Sequence, residues 1–121
     1  MLIAAAVLLV VIGLAHSLLG EKYILQRLFR QPLPKLFGDD GFTKRTLRFA
    51  WHITSLLFVG FAAILLLLHV DAGSPRNLLR VTAVCFAATA LVALIASRGR
   101  HLSWPVFTAI AALCWLAAAV D

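Results

Sequence analysis

The chain has 121 residues, 63% of them apolar and 13% charged, with mean hydropathy +0.99 and a formal net charge of +6. These values exclude a soluble globular domain, which carries about 25% charged residues. They also exclude a nucleic-acid reader, because no soluble module is present to use the positive charge in that way.

The first apolar block covers residues 2–19 and contains no Asp, Glu, Lys or Arg. It lacks a basic leading region and runs into His-Ser-Leu-Leu-Gly-Glu, so it reads as a retained membrane helix rather than a cleaved signal. Near its end Gly13, His16, Ser17 and Gly20 form a stripe at i, i+3, i+4 and i+7, the small-residue pattern of a packed helix face. Gly20 is expected to close the helix in a left-handed cap, turning Glu21 back toward the other helices.

Residues 20–48 form a long basic loop. Within Glu21 to Arg30, Ile24, Leu25, Leu28 and Phe29 recur at helical spacing between charged positions, which predicts a short amphipathic helix lying in the membrane interface. Pro32 and Pro34 end it. Gly38 and Gly41 are expected to supply a turn, and Thr43 to cap the second spanning helix.

The second span is predicted over 49–70, with His52 and Ser55 one turn apart and Trp51 as an interfacial anchor. Asp71, Gly73, Ser74 and Pro75 mark a tight turn, with His69 beside it as an interfacial residue. The third span, 78–96, carries Ala83, Ala87, Ala90 and Ala93 as a close-packing face. Ser97 to Arg100 allows only a hairpin into the fourth span, 102–120, where Pro105 suits the first helical turn after His101, Ser103 and Trp104. Cys85 and Cys114 lie mid-span and read as small apolar residues rather than a disulfide.

Each span holds about 18 to 22 residues, enough at ~1.5 Å per residue to cross a ~30 Å hydrocarbon core. The expected fold is therefore all-α: a single domain, 1–121, of four transmembrane helices in an antiparallel bundle. Nine of the eleven Lys and Arg residues fall in the 20–48 and 97–101 loops, and only Arg76 and Arg80 at the opposite end. The positive-inside tendency makes those two loops cytoplasmic and both termini periplasmic, with anionic headgroups as the partner of the positive charge.

Threaded in this way, His16, His52 and His101 reach one membrane face, and Glu21 can join them. Three imidazoles and a carboxylate are ligand types for a transition metal, and a facing pair of histidines for haem iron. Ser17, Ser55, Trp51 and Trp104 support that cluster. Arg48, Arg98 and Arg100 stand around it and favour a different ligand, the phosphate or carboxylate of a lipid headgroup or small anion. A third reading makes the chain a non-catalytic partner or assembly subunit of a membrane complex, or a homo-oligomer. No nucleophile elbow or oxyanion loop marks it as an enzyme.

The strings AHSLLGEKYIL (15–25), LRFAWHITSLL (47–57) and SRGRHLSWPVF (97–107) resemble those of small bacterial four-helix inner-membrane proteins. The resemblance spans nearly the whole chain. It implies a bacterial inner-membrane location and brings no catalytic residues with it.

Overall fold

A computed structural model of the protein describes residues 1–120. It is all-helical, with four helices long and apolar enough to cross a membrane: α1 (Leu2–Leu28), α2 (Gly41–His69), α3 (Pro75–Ser97) and α4 (Ser103–Val120). Apart from one isolated bridge between Leu36 and Asp39, no extended pairing occurs among the described residues.

The largest departure from expectation lies in α1. Gly20 is right-handed helical, at φ −63° and ψ −45°, and ends nothing. The chain widens into a π-helical stretch, Gly20–Leu25, and then returns to α geometry for Gln26–Leu28. No separate helix begins at Glu21. The glycine is required by a neighbour rather than by a cap, since a Cβ at position 20 would overlap the Trp51 indole. The wider turn also has a packing result. Residues four apart drift around an α-helix, and the extra residue per turn takes up that drift, so Ser17 and Glu21 both meet α2, and Leu25 is only 2% exposed.

The first loop turns through Phe37 and Gly38, at φ 61° and 95°, and not through Gly41, which is the first residue of α2. Leu36 N–H donates to Asp39 O at 2.9 Å across this turn. Thr43 is not the cap: Asp40 takes the N-cap position, and the Thr43 hydroxyl donates to Pro34 O at 2.8 Å, tying the loop to the helix. Helix α2 thus starts eight residues before its apolar span. Hydropathy registers depth in the bilayer, and these two polar turns are helical without being apolar.

The other connections follow the turn chemistry. Ser74 accepts from Asn77 N–H, and Pro75 stands at the start of α3, where a missing N–H costs nothing. At the far end of α3, Arg98 and Gly99 are left-handed, at φ 54° and 76°, and Gly99 N–H donates back to Leu94 O.

Helix α1 packs on α2, α2 on α3, and α3 on α4. Helices α1 and α2 run in opposite directions, as the pairings Gly13 with Ser55, Ser17 with His52 and Glu21 with Arg48 show. Helices α1 and α3 make no close backbone approach, nor do α1 and α4 or α2 and α4. The helices are strung in series rather than closed into a ring. An open groove is left over α2, with α1 and α3 as its walls.

Candidate functional site

The polar chemistry is gathered where α1 meets α2, toward the end carrying the 29–40 loop and the 97–102 turn. His16 and Trp51 form a reciprocal clasp. The His16 Nε2–H donates to Trp51 O at 3.2 Å, the Trp51 Nε1–H donates to His16 O at 2.9 Å, and the rings stack at 4.5 Å and 6°. Both ring N–H groups are thereby satisfied by backbone of the opposite helix, and the two helices are held in one register.

Beside the clasp runs a chain of hydrogen bonds whose polarity is set by its last member. The Ser55 hydroxyl lies 2.9 Å from Gly13 O, and a carbonyl only accepts, so Ser55 donates there. Its single proton is then used. Ser17 must therefore donate to Ser55, also at 2.9 Å, and His52 Nδ1–H must donate to Ser17, again at 2.9 Å. The remaining ring nitrogen, Nε2, faces Glu21 Oε2 at 3.3 Å. Four links need four protons, and the two hydroxyls supply two. With every link made, His52 carries both ring protons and Glu21 is its counter-ion.

Glu21 is also held by Arg48 through two parallel contacts, Nε to Oε2 at 3.1 Å and Nη2 to Oε1 at 2.9 Å. Both side chains are partly exposed, at 48% and 28%, so this pair contributes about 0 to 1 kcal/mol and serves chiefly to aim the groups.

Past Glu21 the site opens into a cleft of about 400 Å³ between α2 and α3. Arg45, Arg48 and Arg98 line it together with His52, and Phe49 and Ile95 supply apolar wall. The Arg45 Nε is buried without a hydrogen-bond partner among the described residues. Asp40 pairs with Lys44 at 2.8 Å, and Asp39, on the Gly41 side of Arg45, accepts from Gly41 N–H. Among the described residues Arg48 is the one guanidinium of the three that is ion-paired, to Glu21. A second cavity of about 260 Å³ adjoins the cleft, sharing His52 and Val92 with it and continuing along the groove past Ser17, Ser55 and Val59.

Of the residues singled out in the sequence, Glu21, His52, Ser17, Ser55 and Arg48 come together in one network. His16 stays in its clasp. His101 lies elsewhere, stacked on Phe42, set edge-on to Phe49, and accepting from Ser103 N–H at 3.2 Å in the role of a cap for α4. No group of three His, Cys, Asp or Glu side chains among the described residues is placed to hold a metal ion. Of the expected ligand set of His16, His52, His101 and Glu21, only His52 and Glu21 meet, because His16 is held by Trp51 and His101 by Phe42, Phe49 and Ser103. Trp51 packs on α1 through its clasp with His16. Trp104 donates to Gly99 O at 3.2 Å and braces the 97–102 turn. Arg98 joins the cleft, whereas Arg100 lies over the Phe37 ring, 5.5 Å from its centroid.

Arg45 was not among the expected site residues. Its signal in the sequence was position: Arg45, Arg48 and His52 recur at i, i+3 and i+7, one face of a helix once α2 is known to begin before residue 45. Compared with protein-family models, curated proteins and solved structures, the chain has no significant match.

Proposed function

We propose that this chain is a four-helix inner-membrane protein, its basic end in the cytoplasm and its termini across the membrane, that binds an anionic group in the cleft of Arg45, Arg48 and Arg98. One observation carries the reading: three guanidinium groups line one cleft, and among the described residues only Arg48 of the three is ion-paired, to Glu21. A bound phosphate, sulfate or carboxylate would supply the acceptors that Arg45 and Arg98 lack there. Guanidinium suits such oxygens because its planar fork offers paired donors. The same positive charge repels a bare cation, and the transition-metal alternative finds no group of three ligand side chains among the described residues.

The test is thermal unfolding of the detergent-purified protein titrated with sulfate and with inorganic phosphate. A ligand that binds only the folded state raises stability by RT ln(1 + [L]/Kd), about 2.7 kcal/mol at a hundredfold excess over Kd. Arg45→Gln and Arg98→Gln should each raise the apparent Kd about tenfold or more, a loss of about 1.4 kcal/mol. Arg76→Gln, at the opposite end, should leave it unchanged. Equal stabilisation of all four proteins would show a general salt effect and remove the site.

A further inference from the structure

The groove over α2 gives the cleft a direction. From Arg45 to Val59 the line of residues facing the two cavities covers fourteen helical steps, ~21 Å at 1.5 Å per residue. Half of a ~30 Å hydrocarbon core plus one headgroup layer of a 40 to 45 Å bilayer comes to about 20 to 22 Å. The charged end of the line therefore falls at headgroup depth, and the other end near the midplane. We infer that the anionic group is the head of a membrane lipid, with one acyl chain lying in the groove between α1 and α3. This rests on the anion-binding reading above and names its ligand class.

Two features favour a chain over water in that groove. Leu14, Leu56, Val59 and Val92 make its wall apolar. The polar residues that also border it, Ser17, Ser55 and His52, are bonded to one another and to Gly13 O, so they present no spare hydroxyl proton to a ligand. An apolar chain covers them without orphaning a donor, and its contact area is removed from competing water or detergent. The headgroup meets the opposite surroundings a turn or two away: Arg45, Arg48 and Arg98, of which Arg48 alone is ion-paired among the described residues, to Glu21. A free phosphate or sulfate would fill the cleft and leave the groove empty. A zwitterionic lipid would fill the groove too, but its choline cation offsets the phosphate charge and adds a positive group to a cleft already lined by three arginines.

The experiment uses the full chain in detergent and three probes: dioleoyl phosphatidylglycerol, dioleoyl phosphatidylcholine and sodium sulfate. Retained lipid is counted by native mass spectrometry, and sulfate is followed by thermal unfolding. The phosphatidylglycerol should be retained at one per chain, the phosphatidylcholine at least about tenfold less, a difference of about 1.4 kcal/mol. Val59→Trp places bulk in the groove from a half-exposed position, and Leu14→Trp does so from the α1 wall, so that one folded variant is enough. Either should lower phosphatidylglycerol retention about tenfold and leave the sulfate midpoint unmoved. Arg98→Gln should lower both. If the groove variants keep their lipid, or sulfate binds as well as the lipid does, the acyl-chain inference falls and the anion site stands. If Arg98→Gln changes neither probe, the anion site itself falls.

Discussion

Helices α1 and α2 exchange side-chain hydrogen bonds at successive levels, from Ser55 on Gly13 O down to Arg48 on Glu21, whereas none crosses between α3 and α4 among the described residues. In the second pair Thr82, Thr89 and Thr108 bond back to carbonyls of their own helix, and Ala83 and Ala111 are buried at the contact. Both pairs pack closely. Alanine contacts bring two backbones together without favouring one rotation strongly over the next, because each pair of atoms contributes little and none is directional. Hydrogen bonds to particular carbonyls do fix the rotation, and only the pair that has them positions a charged cleft. In this molecule the polar seam builds the site, and the alanine seam completes the fold around it.

Steric tolerance should separate the two seams most. Gly20→Ala forces the Trp51 ring to move and should destabilise the protein by about 1 to 3 kcal/mol. Ala112→Leu, at an exposed position lining a cavity of about 460 Å³ between α3 and α4, should stay within about 0.5 kcal/mol. Unfolding in a detergent titration measures both, and equal losses would erase the distinction.

Ser55→Ala should show a smaller stability loss, about 0.6 and at most about 1.7 kcal/mol, as for single polar contacts between membrane helices. Its sharper effect is on His52. With Ser55 gone, the Ser17 proton is free to go to Nδ1, and a neutral imidazole with its proton on Nε2 then satisfies every remaining link. Nitrogen-15 shifts of His52 should report two protonated ring nitrogens in the parent and one in the variant. A neutral ring in both would mean that the hydrogen-bond chain does not dictate its charge.

Thr108→Ala removes a hydroxyl bonded only within α4 and should change stability by less than about 0.5 kcal/mol, with no effect on the cleft. The least effect belongs to Asp40, whose carboxyl is held below its ordinary 3.8 by the hydrogen bond from Lys44, with their charge attraction adding to it against a small desolvation cost. A lowered value means that this carboxylate supports the first turn of α2 at every pH above 3.8, and that the support is lost as pH falls below it through the depressed value. Amide exchange at Lys44 should quicken over that acid window, and Asp40→Asn should abolish the change.

The spans and turns were legible because each has a local cause: apolar length, Pro75 at a helix start, Ser97 to Arg100 too short for anything but a hairpin. Part of the site was legible for the same reason, since Ser17 and Glu21, and Arg48, His52 and Ser55, sit at helical spacings on segments bound to meet. The divergence of the histidines was not. Whether His16 turns toward His52 or toward Trp51 is decided by which partner the opposite helix offers, and that depends on rotation between helices, which one-dimensional spacing does not contain. The start of α2 was hidden because residues 41–48 are helical and polar at once, and Arg45 was hidden with it.

The π turn at Gly20–Leu25 bears on insertions and deletions. It is an α-helix carrying one residue too many, a surplus stored where Trp51 and Glu21 need it. Elsewhere in a membrane helix, losing one residue rotates everything beyond it by about 100°. Deleting Lys22 or Tyr23 would instead return the segment to plain α geometry and spend the surplus, so that Leu25 and the loop after it keep their direction while the residues between Gly20 and Leu25 are re-aimed. A single-codon deletion there should leave both the helix and what its far end touches intact, and change only the contacts made by the π turn itself.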